Sequence, residues 1–494
     1  MVTLENLTAK LSGIIFDGAR ARMSDLEFLE AEIAKWKFSK TRLMQIAGFR
    51  YYEGDHDILK RERMMIGEGG RLEKVDNLPN NRIVDNQYAK LVNQKANYIV
   101  GKPFVIESDN ENYVKELNLV MGKNFFRLLK SAGKSALNGG IAWLFPYYGE
   151  DGSLCFRLFP AYEILPFWKD REHTDLDCAV RLYSVIGYEG KDTKLFEKVE
   201  VFDGNGITFF TLNGGKLEAD SENPNKPYVT AIGEEGEVTA LNWQKIPLVA
   251  LKYNEAEIPL LKKVKCLQDG LNVMISDFEN NMQEDARNTI LVLKNYDGTD
   301  LGEFRRNLST FGAVKVRYDG DTKGGVETLE VQINAENYRS ILELFKKAII
   351  ENGMGYDAKD DRMAGNPNQM NIQSMYSDID LEANDMETEL QATFENLLWF
   401  VNAHLANTGK GDFSNEKVSI TFNRDMLMNE SEVIDNCAKS VGILSNETIV
   451  AQHPWVNDVD LEMERLEKQK QDDFEMQTAF MEIKQQEKNN GNKE

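Results

Sequence analysis

Gly133-Lys134-Ser135 is the first place where residue types and spacing suggest chemistry, because a glycine-rich loop ending in Gly-Lys-Ser can wrap a phosphate. Such a loop needs a glycine five residues earlier to turn its amides inward, and that position holds Leu128. The tripeptide also falls inside a helical pattern rather than after a strand, so a helix face is the better reading. Two groups of carboxylates invite a cation. Asp297, Asp300 and Glu303 lie close together, but Asp297-Gly298 is a strong turn former and the register of a calcium loop is missing. Asp357, Asp360 and Asp361 sit in a polar segment with nothing to impose octahedral geometry on Mg²⁺. Cys155, Cys178, Cys266 and Cys437 are far apart, as are His56, His173, His404 and His453. Neither a metal knuckle nor a nucleophile–base set follows from such spacing. No catalytic, cofactor or metal site is expected.

What remains is a polar segment, Gly355–Met370, in which Lys359, Arg362, Asn366, Asn368 and Gln369 offer single cations and amides. Such groups can touch phosphate weakly and let go. A structureless stretch of about fifteen residues inside a compact region usually has a task, although from these residues alone an ordinary surface loop is the preferred reading. The elements that must hold it are legible. Val264, Leu267, Leu271, Met274, Phe278 and Met282 fall three or four apart, one stripe on a long helix from about Ile258 to Gln283. A second stripe, Tyr338, Ile341, Leu342, Phe345 and Ile349, starts near Ala335. Between them lies a compact insert with strand-like Asn288–Lys294 and Val314–Tyr318, a turn at Asp297-Gly298 and a short helix near Leu301–Leu308. A third striped helix, about Ser374 to Leu405, carries Ile379, Met386, Leu390, Leu397, Val401 and Leu405.

Upstream, helices are expected around 4–20, 24–49 and 111–138. Another is expected in Asn81–Pro103, where Val84, Tyr88, Leu91, Val92, Lys95, Tyr98 and Ile99 share a face. Gly101 in a left-handed cap and Pro103 should end it. A short strand, Phe104–Ile106, follows. From Ile141 to Leu251 the period changes to alternating, β-rich runs separated by Gly, Asp and Asn turns, which predicts a mostly antiparallel sheet. Downstream come a strand at 418–423, helices at 430–441 and 445–452, and a charged helix that frays into a tail by Gln486. The fold class is α+β, mainly helical.

The chain has 494 residues, enough for several domains without disulfide staples. No apolar run approaches a membrane span, and the first residues lack a basic-then-apolar signal, so a cytoplasmic site of synthesis and assembly and no membrane partner are expected. The net charge of −23 excludes tight binding of nucleic acid through an overall basic surface. Alone, the charge favours acidity for solubility, as in many cytoplasmic proteins; if the chain meets DNA, a mostly repulsive field suits a surface past which DNA slides.

Four stretches, taken in order, resemble the phage portal proteins, the head-to-tail connectors of tailed phages, in their Gram-positive siphophage type. They are Asn81–Pro103, the helix–insert–helix of about 255–352, the segment Gly365–Tyr376, and a C-terminal part. That last part holds Ile420–Arg424, Asn429–Glu432, Val441–Thr448 and Pro454–Glu464. The resemblance implies a wing (1–254, with the long wing helix 374–409), a stem (255–285 and 333–352), a clip (286–332), a tunnel loop (353–373) and a crown with a disordered tail (410–494). It implies a ring, typically dodecameric, at one capsid vertex of the virion, through which double-stranded DNA is packaged and ejected. Stem packing then falls to Val264, Leu267, Leu271, Met274, Phe278, Tyr338, Ile341 and Phe345. Clip docking of the terminase large subunit, and later of a head-completion adaptor, falls to Phe304, Arg305, Arg306, Lys315 and Arg317. Major capsid and scaffolding proteins are the other implied partners, and Lys359 and Arg362 become the main basic interruption of an acidic channel. The chain departs from many relatives where Asn366-Pro-Asn-Gln-Met-Asn371 replaces a glycine- and serine-rich stretch. The rivals are a scaffold-like assembly protein, or a packaging nuclease or ATPase, the latter opposed by the incomplete phosphate loop.

Overall fold

The computed structural model describes residues 25–66, 70–76, 78–220, 225–232, 238–285, 290–294, 300, 302, 317–319, 322–323, 325–329, 335–357, 369–424, 430–456, 459, 461–472, 474 and 476. These fall into two compact units. One is drawn from Met1–Gly355 with Ile379–Asp425, the other from Tyr356–Asp378 with Met426–Glu494.

In the first unit, two helices, α1 (Asp25–Lys37) and α2 (Lys40–Tyr52), replace the single one expected over 24–49. Ser39 divides them: its backbone is extended and its side chain accepts from Arg42 N at 3.2 Å, which caps a new helix. Helix α3 (Gln87–Val100) starts later than the spacing of Val84 suggested, because Asn86 caps it through Ala89 N at 2.8 Å and residues 81–86 lie outside it. Gly101 ends α3 without the expected left-handed turn, at φ −78° and ψ −30°. What it supplies is room, since a Cβ there would lie 2.0 Å from Asn97 O. The helix expected over 111–138 is likewise two, α4 (Glu111–Val120) and α5 (Lys123–Gly139), broken at Met121-Gly122. Gly140 closes α5 at φ +79°, a conformation that costs glycine nothing.

The β-rich region is antiparallel throughout. Leu176–Glu189 and Asp192–Asp203 form a long hairpin at the centre of a sheet that runs from Ile164–Trp168 to Lys216–Ala219. A second sheet orders Val249–Lys252, Ile141–Tyr148 and Leu154–Pro160. One core gathers Trp143, Phe159, Ile164, Trp168 and Phe202. Another sets Ile33 of α1 on Val180, Leu182, Val199 and Val201 of the hairpin. Successive strand residues point to opposite faces, and here both faces are covered in places: Ala179 and Phe202 enter the first core while their neighbours Val180 and Val201 enter the second, and Ile141 to Leu144 are buried without interruption.

Three long helices follow: α6 (Leu261–Asp285), α7 (Ala335–Asn352) and α8 (Gln369–Asn407), the last of which enters the first unit at Ile379. Between α6 and α7, Ile290–Lys294 pairs with Gly325–Leu329 and Tyr318–Asp319 with Thr322–Lys323, both antiparallel. The strand expected over 418–423 is Ser419–Thr421, paired with Val105–Glu107. In the second unit lie α9 (Glu430–Lys439), α10 (Asn446–Gln452) and helical residues 461–472. Ser445 caps α10 through Thr448 N at 3.2 Å. The helix expected at 4–20, the turn at Asp297-Gly298 and the tail beyond 476 lie outside the described residues.

Candidate functional site

Helices α6 and α7 pack antiparallel through the stripes that the sequence shows. The rings of Phe278 and Tyr338 are 4.9 Å apart, and Asn281 donates to the Tyr338 hydroxyl at 3.2 Å. Phe345 lies over Gly270, where a Cβ would come within 2.8 Å of the ring. Val264 and Leu271 have no exposed surface within the single chain, so their packing is internal to it. Leu267, Met274, Phe278, Tyr338 and Phe345 are half-buried. Ile341, Leu344, Val273 and Met282 remain exposed on the same pair of helices.

A second stripe on α6 escaped the hydrophobic reading. Gln268, Asn272, Ser276 and Asn280 recur every fourth residue, and all four are fully buried although none is apolar. Each holds a main-chain amide of the segment that leads into α3. Gln268 Oε1 accepts from Tyr88 N at 3.0 Å, Asn272 Oδ1 from Asp85 N at 3.1 Å, Ser276 Oγ from Ile83 N at 3.0 Å, and Asn280 Oδ1 from Asn81 N at 2.7 Å. The match is metric. Four residues of α-helix rise about 6.0 Å, and two residues of extended chain span about 6.6 Å, so the alternate amides of Asn81, Ile83 and Asp85 meet successive turns, and a three-residue step into the start of α3 brings Tyr88 N to the fourth. A net worth of about 1 kcal/mol per bond makes the row a substantial brace between α6 and α3. The signal was present in the sequence as uncharged polar residues at strict fourfold spacing, but hydropathy assigns such residues to solvent.

The brace extends to His56, also fully buried. Its Nε2 donates to Tyr51 O at 3.0 Å, its Nδ1 accepts from the Asn272 amide at 2.8 Å, and its ring stacks on Tyr51 at 4.3 Å. Burial holds the imidazole below its ordinary pKa, which fixes the neutral form. Beside it Lys265 bridges Asp57 and Asp269, each at 2.7 Å, and Lys346 of α7 reaches Asp85 at 2.8 Å. Burial alone would raise the Asp57 pKa, but Lys265 and Arg50 outweigh it and hold the carboxyl far below the usual range.

Helix α8 is clamped on one side by Arg424, whose guanidinium meets Asp380 at 2.7 Å, Glu387 at 2.8 Å and the Asn384 amide oxygen. Tyr98 of α3 donates to the same Asp380 at 2.5 Å. On another side Glu382 receives Lys95, Lys263 and Tyr253.

The other candidates fall as follows. Gly133-Lys134-Ser135 lies in the middle of α5, with Gly133 packed where a Cβ would be 3.2 Å from Val100 and Lys134 donating to the Tyr52 hydroxyl at 3.1 Å. It is a packing face, as its position in a helical pattern suggests. Lys359, Arg362, Asn366 and Asn368 lie outside the described residues, and Gln369 is the first residue of α8. Phe304, Arg305, Arg306 and Lys315 also lie outside them, while Arg317 is described and exposed. Among the described residues no group of three His, Cys, Asp or Glu side chains is placed to hold a metal ion, and no helix is long and apolar enough to cross a membrane.

Comparison with known proteins bears on the arrangement as a whole. Residues 31–476 match the family described as phage portal protein, SPP1 Gp6-like. The chain is 31% identical over 438 residues to the portal protein of Bacillus phage SPP1, covering 87% of this chain and 84% of that protein. It is 27% identical over 460 residues to the portal protein of Clostridium phage phiCD119, covering 90% and 95%. Among solved structures, a chain from the neck of a native GTA particle computed with C12 symmetry superposes with a TM-score of 0.37 at 13% identity, covering 74% of this chain and 89% of that one. With the family match running from α1 through the brace, the α6–α7 pair and α8 to the C-terminal helices, the chain belongs to the SPP1 Gp6-like family of phage portal proteins.

Proposed function

We propose that this chain is one subunit of a ring, of the dodecameric kind, at the capsid vertex, and that double-stranded DNA enters and leaves through the ring's axis without chemistry by the ring itself. Portal proteins form ring assemblies and are components of the virion. The single observation that carries the reading is the family match over residues 31–476. In this assignment 1–254 and 374–409 form the wing, 255–285 and 333–352 the stem, 286–332 the clip, 353–373 the tunnel loop, and 410–494 the crown. The exposed Ile341, Leu344, Val273 and Met282 on α6 and α7 support packing against a neighbouring subunit, because apolar residues clustered on one helix pair seek cover. The net charge of −23 supports a wall on which phosphates find no deep resting place. Lys359 and Arg362 are the basic interruption of that wall. The clip, through Phe304, Arg305, Arg306, Lys315 and Arg317, docks the terminase large subunit during packaging and a head-completion adaptor afterwards. Capsid and scaffolding proteins meet the ring in the virion shell.

Electron cryomicroscopy of the purified full-length protein tests this. A closed ring with a central hole, α6 and α7 around it, and Lys359 and Arg362 turned to the axis is expected. Rods or monomers refute the ring. Both side chains pointing outward refute the loop assignment, and ATP turnover by the purified protein refutes the passive role.

A further inference from the structure

Glu382 of α8 is the meeting point of four separate elements. It is 9% exposed, and its carboxylate receives Lys95 of α3, Lys263 at the start of α6 at 2.6 Å, and the Tyr253 hydroxyl that follows strand Val249–Lys252. Burial opposes its ionisation, but the Lys95 charge and the hydrogen bonds from Lys263, Lys95 and Tyr253 prevail and keep its pKa below the ordinary value. Lys95, 2% exposed, has a second bond: its Nζ donates to Met354 O at 2.8 Å.

Met354 lies in the turn that ends α7, and that turn is unusual. Met354 carries a side chain at φ +52°, in the left-handed region that favours glycine. Its flanking residues, Gly353 and Gly355, are pressed on Leu91 of α3, where added Cβ atoms would lie 2.2 Å and 2.5 Å from the Leu91 methyls. Leu91 and Lys95 are one helical turn apart on α3, so one face of one helix both seats the turn and takes its carbonyl. A strained residue persists only where its surroundings over-determine it, and here they do.

A buried ion cluster is a poor way to add stability, because apolar side chains of similar volume usually do as well. What charges add is direction: an ammonium group between a carboxylate and a carbonyl fixes where both must be. We propose that Lys95 and Glu382 are positioning residues for the passage. Through them the end of α7 and the start of α6 are held at fixed places on α8, so that the helix pair and the long helix behave as one rigid body under load. The link to DNA passage rests on the portal reading above; the local tethering does not.

The experiment compares full-length wild type with Lys95→Met, which leaves Glu382 paired with Lys263 and Tyr253. Hydrogen exchange read by mass spectrometry should show the amides of 353–355 exchanging at least tenfold faster, with the hairpin strands around Val180 and Val201 unchanged within twofold. DNA-filled capsids, counted where the variant is the sole source of this protein, should fall at least tenfold. Unchanged exchange at 353–355, or acceleration across the whole chain, overturns the proposal. Local loosening with undiminished filling overturns its connection to DNA. If Lys95→Met does not fold, Glu382→Gln, which removes the anchoring charge, should give the same selective loosening, and loss of fold in both variants reduces the cluster to bulk stability. A failure of the portal reading would instead appear as wild-type protein that forms no rings.

Discussion

Replacing Asn272 by Leu keeps nearly the same volume and removes the three polar contacts of its side chain at the centre of the brace. Asn272 accepts from Asp85 N at 3.1 Å and from Gln268 Nε2 at 3.1 Å, and donates to His56 Nδ1 at 2.8 Å. Gln268 Nε2 keeps its bond to Asp85 O at 2.8 Å, so the groups left stranded are the Asp85 amide and His56 Nδ1. A buried group without a partner costs about 1–3 kcal/mol. His56 is fully buried and takes the upper part of that range, while Asp85 is half-buried and recovers some of its loss from water. The sum is about 3 kcal/mol, which corresponds to exchange of the amides in 81–88 accelerated by about a hundredfold. Ser276→Ala, which removes the bond from Ile83 N and the hydroxyl's own bond to Asn272 O within α6, should cost about 1 kcal/mol and accelerate the same amides about fivefold. Exchange in this segment altered less than threefold by Asn272→Leu would refute the claim that α6 holds it.

The brace should also respond to acid. His56 is kept below its unfolded pKa, so the unfolded chain takes up a proton first; stability is full above that value and falls as pH drops through the folded one. A urea midpoint that declines between about pH 7 and pH 5, and declines less in His56→Gln, is expected. Gly140→Ala combines a left-handed backbone with a Cβ 2.1 Å from Glu257 O, whereas Gly152→Ala has φ +77° and nothing within 4 Å. Thermal melting should show a loss of more than about 3 kcal/mol for the first and about 1 kcal/mol for the second. Arg424→Ala should cost about 1–2 kcal/mol, and a double-mutant cycle with Glu387→Ala should recover part of it as coupling, because the two groups meet at 2.8 Å.

The sequence revealed the large elements wherever burial was apolar. The stripes of α6, α7 and α8 and the alternation of the hairpin strands follow from the period of hydrophobic residues alone. It misplaced boundaries where a local helix cap, by side chain at Ser39 and Asn86 and by backbone at Gly122, overrode that period. Ser39 and Gly122 restart helices inside continuous apolar patterns, and Asn86 starts α3 six residues into a stretch that reads as helical from Asn81. The fourfold row on α6 was invisible for a different reason. Its partners are main-chain amides, which every residue except proline carries and which no residue type announces. Lys95 was legible as a member of the α3 apolar face, but its carbonyl and carboxylate partners lie far along the chain at Met354 and Glu382. The acidic balance and the absence of a complete phosphate loop could be read directly, because both depend on composition and spacing rather than on folding.

The grip of α6 on the chain ahead of α3 has one more consequence. It reads amides, and so it is indifferent to the side chains at 82 and 84 but counts the residues between 81 and 88. Substitutions at 82 and 84 leave every gripped amide in place, whereas proline at 81, 83, 85 or 88 would remove one. A single deletion would carry Asn81 and Ile83 off their partners by one residue's length, about 3.3 Å, more than any hydrogen bond tolerates. This part of the chain is a ruler, and natural variation within it should appear as exchanges of residue type at constant length.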